Sequence, residues 1–128
     1  MRRPRTTLKT IALAITAASV ASNSFAADAD RGARIFRACS SCHIVDDTRS
    51  TFGPSLKGVV GRRAAGLDDY AYSPALKKAG EEGLVWNEHE LAEFLAAPNR
   101  KVPGTKMRFW GLWSFEVDDL IAFLKANP

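Results

Sequence analysis

From Asp30 to Cys42 the apolar and small positions Gly32, Ile35, Phe36 and Cys39 recur at i, i+3, i+4 and i+7, with Arg31, Arg34 and Arg37 on the other side. That period predicts an amphipathic helix carrying Cys39 at its end. Gly32 in its interior costs helix propensity unless something needs the missing side chain, which predicts a close helix crossing. Ser73-Pro74 predicts an N-cap with proline at the first helical position, and Gly80 the stop. A third helix opens at Asn87, with Glu90 three residues on in a capping-box arrangement and Trp86 spaced to staple against Leu91. Leu91, Phe94 and Leu95 make its inner face until Pro98 ends it. Ser114 is expected to cap a last helix whose stripe is Val117, Leu120, Ile121 and Leu124, widened by Phe123. The polar run 46–51, the Gly53-Pro54 turn and the stretch from Arg100 to Met107 read as loops, with Gly111 closing a turn. With no alternating strand pattern the expectation is all-α, four to five helices, with loops too long for a small core to hold without a large bound group.

The first residues change how the charge is read. Arg2, Arg3 and Arg5 precede an apolar run from Ile11 to Ala21, then Ser24-Phe25-Ala26 and the acidic Asp28 and Asp30. This order is that of an export leader, 1–26, cleaved after Ala26, and the apolar run is too short to span a bilayer. Residues 27–128 are then one small domain without an internal repeat. Arg2, Arg3, Arg5 and Lys9 account for the whole formal excess of +4, so the basic balance belongs to the leader and gives no reason to expect nucleic acid. The expected compartment is a bacterial periplasm, where thiols are managed outside the cytosol.

The chemistry centres on Cys39-Ser40-Ser41-Cys42-His43, which contains both cysteines of the chain. Two thiols three residues apart on a helical turn can each add to a vinyl group of one porphyrin, and the following histidine can then offer a ring nitrogen to the iron: this is the attachment signature of c-type haem. A zinc ribbon lacks its second cysteine pair, and a thioredoxin-like dithiol lacks its βαβ surroundings. A carbonyl in the glycine-proline loop is placed to accept the second ring N–H of His43 and fix its tautomer.

Taken in order, Cys39-Ser-Ser-Cys42-His43, Gly53-Pro54-x-Leu56-x-Gly58, Trp86, Pro103-Gly104-Thr105-Lys106-Met107 and the closing run from Leu120 to Lys125 resemble the class I cytochromes c, in the bacterial branch close to the mitochondrial carrier. The resemblance covers Asp30 to Lys125. It implies one covalently attached haem c wrapped by the helices, with His43 and Met107 as axial iron ligands and the Pro54 carbonyl as partner of His43. It also implies a crossing of the first and last helices where Gly32 and Phe36 meet Leu120 and Phe123. Arg62, Tyr72, Ser73, Trp86 and Thr105 are the implied contacts of the haem propionates, with Tyr70 close by; two buried carboxylates need donors or a cation, and each residue has one. Arg63, beside Arg62, is not separated from it by sequence. His89, between Glu88 and Glu90, is expected in solvent. Phe94 and Leu76 stand where the mitochondrial pattern often has tyrosine and asparagine, which implies a drier pocket.

The function implied is one-electron transfer in the periplasm, with no small-molecule substrate and no bond made or broken. Expected partners are membrane or periplasmic redox proteins: a quinol-oxidising complex, an oxidase, a reaction centre or a dehydrogenase. The alternative is a haem peroxidase or gas binder with a labile sixth ligand, which wants an open iron site and a distal acid–base residue. The lysine ring that the family carries around the haem edge is thin here, reduced to Lys57, Arg100, Lys101, Lys106 and Arg108, while Trp110, Trp113 and Phe115 crowd the segment after Met107. Stapling of the last helix predicts burial of at least one of these rings. Three within six residues also exceed what a small core absorbs, so at least one is expected outside as an apolar contact patch.

Overall fold

The computed structural model describes residues 26–128; the leader expectation for 1–26 falls, but for Ala26, outside them. Five helices follow in order: α1 Ala29–Phe36, α2 Pro74–Glu81, α3 Glu88–Ala96, α4 Pro98–Lys101 and α5 Ser114–Lys125. The only β pairing among the described residues is an isolated bridge between Arg63 and Val85.

The crossing of α1 on α5 organises the rest. A side-chain carbon at Gly32 would run into the Asp119 carbonyl oxygen and lie 2.7 Å from Phe123 Cβ. Only glycine lets the two backbones meet there. The glycine costs about 1 kcal/mol of helix propensity. The contact it permits buries Leu120 and Leu124 and brings Phe36 and Phe123 ring centroids to 5.3 Å. Each fully buried leucine contributes about 2 kcal/mol, so the close crossing wins. Leu91, Phe94 and Leu95 of α3 complete the same core, as their spacing predicts.

Four boundaries differ from the sequence reading. α1 stops at Phe36, and Cys39 to Cys42 lie in a run of tight turns rather than in its last turn. The turns begin where Cys39 and Ser40 N–H groups both donate to the Phe36 carbonyl. α2 is capped by the Ser73 hydroxyl as expected, but runs past Gly80 to Glu81. Gly80 is buried, and a side chain there would strike the Ala64 carbonyl, so this glycine serves packing; the turn comes at Gly83, with φ +98°. α3 starts on the Asn87 cap, whose side chain accepts from Glu90 N–H at 2.8 Å, and Pro98 does not only end it but starts the short α4. α5 is not capped by Ser114, which is its first residue; the Glu116 carboxylate accepts from Trp113 N–H at 3.0 Å instead.

One expectation about burial is corrected. Trp110, Trp113 and Phe115 are all exposed, and none staples α5. Leu112 is the residue of that segment that packs on the core.

Candidate cofactor-binding site

The tight turns after α1 shape the first half of the site. Cys42 and His43 N–H groups donate to the Cys39 carbonyl at 3.0 and 2.9 Å, which is one helical turn in local geometry. The two thiols therefore sit one turn apart, with His43 directly after. Cys39 is half-buried against the core and Cys42 is exposed. Burial pushes the Cys39 thiol above its ordinary pKa, and Cys42 beside it adds to the shift.

His43 is fixed by the loop that follows it. Its Nδ1–H donates to the Pro54 carbonyl at 2.8 Å, which leaves Nε2 with its lone pair free. Burial lowers the imidazole pKa, against the smaller opposing effect of the Pro54 bond, so the ring is neutral and able to ligate. Gly53 lies against the ring: a side-chain carbon there would sit 2.5 Å from His43 Cε1 and 2.8 Å from Nδ1. The loop is tied back by Gly53 N–H and Thr51 Oγ1, which donate to the Cys42 carbonyl at 2.8 and 2.6 Å.

From Pro54 a continuous line of contacts reaches most of the other expected residues. Ser55 is buried, its hydroxyl donating to the Asp47 carbonyl at 2.6 Å, and its own carbonyl accepts from Arg62 Nη2 at 2.6 Å. Arg62 Nη1 donates to the Lys57 carbonyl at 3.1 Å. This separates Arg62, half-buried and held by two carbonyls, from exposed Arg63. Burial draws the Arg62 guanidinium below its usual pKa, partly offset by Tyr72 and Asp69. Tyr72 is buried, its hydroxyl pKa raised by burial, and packs edge-on against Tyr70 with centroids 4.9 Å apart. Tyr70 itself donates through its hydroxyl to the Phe52 carbonyl at 3.1 Å. Ser73 is buried and spends its oxygen on Leu76 N–H at 3.2 Å. Trp86 is in the core with its ring centroid 5.0 Å from that of Phe94, and its backbone pairs with Arg62 and Gly61.

The second half of the site comes from the 102–107 loop. Thr105 Oγ1 accepts from Met107 N–H at 3.3 Å, and Met107 is half-buried against the core cluster. Lys106, between them, donates to the Ala71 carbonyl and lies 5.6 Å from the Tyr70 ring centroid, which joins this loop to the tyrosine segment. That tie was not legible in the sequence, where Lys106 reads as a surface cation. His89 is exposed, 3.6 Å from Glu93 across one turn of α3, as expected of a residue outside the site. Lys101 is not a free surface cation: it bridges Glu90 and Glu93.

The donor set fits one covalently held porphyrin. Two thiols one turn apart, a neutral imidazole with its far nitrogen free, a glycine cradle that seats the ring, and a thioether on a separate loop are what such a group requires.

Comparison with known proteins agrees. A family model described as cytochrome c matches residues 29–128. Cytochrome c2 of Agrobacterium tumefaciens (strain II Chrys) is 48% identical over 99 residues, 76% of this chain and 89% of that protein. Cytochrome c2 of Afifella marina is 43% identical over 97 residues, 74% and 78% of the two chains. Among solved structures, cytochrome cH from Methylobacterium extorquens superposes with a TM-score of 0.71 at 48% identity, covering 77% of this chain and 98% of that one. Ferricytochrome c2 from Rhodopseudomonas palustris gives 0.73 at 33% identity, with 79% and 99% covered. The turn-held thiols, the oriented imidazole and the thioether loop thus stand in a chain that belongs to the class I cytochromes c, electron carriers with one covalently bound haem c.

Proposed function

We propose that the chain is a periplasmic one-electron carrier in which Cys39 and Cys42 would hold a haem c through thioethers and His43 Nε2 and Met107 Sδ would ligate its iron. When bound, the haem supplies a reversible couple between ferric and ferrous iron. The chain's own part is to hold and shield it. The observation that carries this reading is the His43 Nδ1–Pro54 carbonyl bond, with Gly53 seated against the ring. It sets the tautomer and orientation of a ligating imidazole and serves no other evident purpose.

Arg62, Tyr72, Ser73, Trp86 and Thr105 are the donors to the two propionates in this reading. Arg62 is preorganised for it by its two carbonyl partners, and its partial burial strengthens any charge it meets. No substrate bond is made or broken: the protein is not an enzyme. Residues 1–26 direct export and 27–128 form the carrier. Its donors and acceptors are membrane or periplasmic redox proteins of the quinol-oxidising, oxidase, reaction-centre or dehydrogenase type. Among the described residues no helix is long and apolar enough to cross a membrane.

The test is a potentiometric titration of the exported holoprotein with a spectrum at each step. A single one-electron wave, with the weak far-red band of sulfur-ligated ferric haem, is the expected result. A high-spin ferric spectrum that binds cyanide at once would replace the carrier with the peroxidase-like alternative.

A further inference from the structure

The stretch that carries Met107 leaves α3 and comes back to it. At its far end Leu112 N–H donates to the Leu95 carbonyl at 3.0 Å. Beside that bond the Gly111 backbone lies so close to the Ala96 carbonyl that no side chain fits between them. The far end is therefore pinned on the last turn of α3 by backbone alone. The near end is α4, which begins one residue past α3. It has no side-chain cap, and its four residues are too few to hold a helix by their own hydrogen bonds.

Lys101, the last residue of α4, ties that end to α3. Its ammonium pairs with Glu90 and lies 2.5 Å from Glu93 Oε2. The lysine side chain is 21% exposed, against 50% for Lys125, whose pair with Glu88 joins α5 to α3. Glu90 and then Glu93 hold the Lys101 ammonium above its ordinary pKa, and Lys101 holds the Glu93 carboxyl below its own. His89 stands on the other oxygen of Glu93, at 3.6 Å. From Lys101 the order passes along the backbone to the thioether. Val102 is buried and its carbonyl accepts from Thr105 N–H at 3.1 Å, while Thr105 Oγ1 accepts from Met107 N–H at 3.3 Å. Two local bonds thus separate Met107 from the residue that follows Lys101.

We infer that Lys101 is a positioning residue for the sixth iron ligand: by fixing the start of the loop on Glu90 and Glu93 it keeps the Met107 thioether at the iron. This role rests on the carrier reading above, in which Met107 is that ligand, and adds the contact that sets how often the ligand lets go. An isolated surface ion pair contributes little, because both side chains give up rotamers to make it. Lys101 has two acceptors and less exposure, and it differs in what it holds. Lys125 joins two helices that already share a buried core through Leu91, Leu95, Leu120 and Leu124. Lys101 joins to α3 a segment in which, from 101 to 111, only Val102 is buried. Its loss therefore shows as local opening of the loop rather than as global unfolding. Lys106 still ties the tip of the loop to the Ala71 carbonyl, so the opening stays partial.

The experiment takes the ferric holoprotein and measures its rate of cyanide binding, the urea midpoints of the far-red band and of the helical signal, and amide hydrogen exchange at Thr105 and Met107. Cyanide enters only while Met107 is off the iron, so its rate reports the open fraction. Wild type is compared with Lys101→Met, Glu90→Gln/Glu93→Gln, Lys101→Arg and, as a control on ion pairing in general, Lys125→Met. The expected result is cyanide binding about three- to tenfold faster in Lys101→Met and in the double variant, with exchange at Thr105 and Met107 faster by a similar factor. Lys101→Arg, which keeps a cation for both carboxylates, should stay within about twofold of wild type. Lys125→Met should lower the urea midpoint of the helical signal and leave the cyanide rate unchanged. A cyanide rate in Lys101→Met equal to wild type overturns the positioning role and leaves the carrier intact. Faster binding in Lys125→Met too, in step with its lower midpoint, shows that global stability alone is at work and overturns the role as well. A wild type without the far-red band overturns the Met107 ligation itself, and the role of Lys101 with it.

Discussion

Arg31 and Asp119 tie the first helix to the last through two parallel hydrogen bonds, Nε to Oδ2 at 2.6 Å and Nη2 to Oδ1 at 2.8 Å. Asp119 is almost wholly buried, and its Oδ1 also accepts from Asp28 N–H at 2.7 Å. Asp28 in turn caps α1 by accepting from Asp30 and Arg31 N–H. One carboxylate therefore holds both the side chain and the backbone at the start of the chain's core.

Arg31, and next the Asp28 N–H, hold the Asp119 carboxyl below its ordinary pKa. A group depressed in the folded state binds fewer protons there than in the unfolded chain. Its contribution is thus fully present above the ordinary carboxylate value and is lost as pH falls through the lower folded value. Asp119→Asn is expected to lower the urea midpoint at neutral pH and to flatten its decline below pH 4. Equal acid slopes for variant and wild type would show that Asp119 is not the group that titrates.

Gly32→Ala places a methyl group against the Asp119 carbonyl and Phe123 Cβ, neither of which is the free end of a flexible chain. The gain in helix propensity, about 1 kcal/mol, is smaller than the overpacking it forces. A net loss of about 1 to 3 kcal/mol in denaturant titration is expected, larger for Gly32→Val.

Gly53→Ala acts on the imidazole. The added carbon pushes His43 or the loop away, weakening the Nδ1–Pro54 bond that makes the ring a better electron donor. The holoprotein should show a higher reduction potential, because a less basic ligand favours ferrous iron, together with a lower unfolding midpoint. A potential unchanged from wild type would mean that the loop absorbs the methyl group without disturbing the ligand.

Met107→Ala should remove the far-red band, lower the potential and let cyanide or imidazole bind the ferric protein rapidly. Difference spectroscopy against added cyanide reads all but the potential. Slow binding at the wild-type rate would place the sixth ligand elsewhere.

The sequence was most informative where one residue type has one use. Gly53-Pro54, ten residues after His43, indicated a turn whose carbonyl could accept from the imidazole, and Pro54 is where that bond is made. Gly32 in a helical stripe pointed to a crossing, and the apolar spacings of α3 and α5 marked their buried faces. Reading failed where the decision is made by distant partners. Phe36 ends α1 although the stripe continues to Cys39. Gly80 resembles a stop but is a contact with Ala64, and Ser114 resembles a cap while Glu116 does the work. The three exposed rings are the same kind of case. Hydrophobicity alone would bury one of them, but Leu112, tied through its N–H to the Leu95 carbonyl, is the residue of that segment that turns to the core.

The α1–α5 crossing also bears on the order of events during synthesis. Gly32 and Arg31 find their partners at Asp119 and Phe123, near the far end of the chain. A polypeptide made from its first residue onward therefore cannot close its core until the last helix has emerged. Until then the Gly32 face of α1 has no partner, so the core closes by a contact between the two ends of the domain rather than by growth from its first helix.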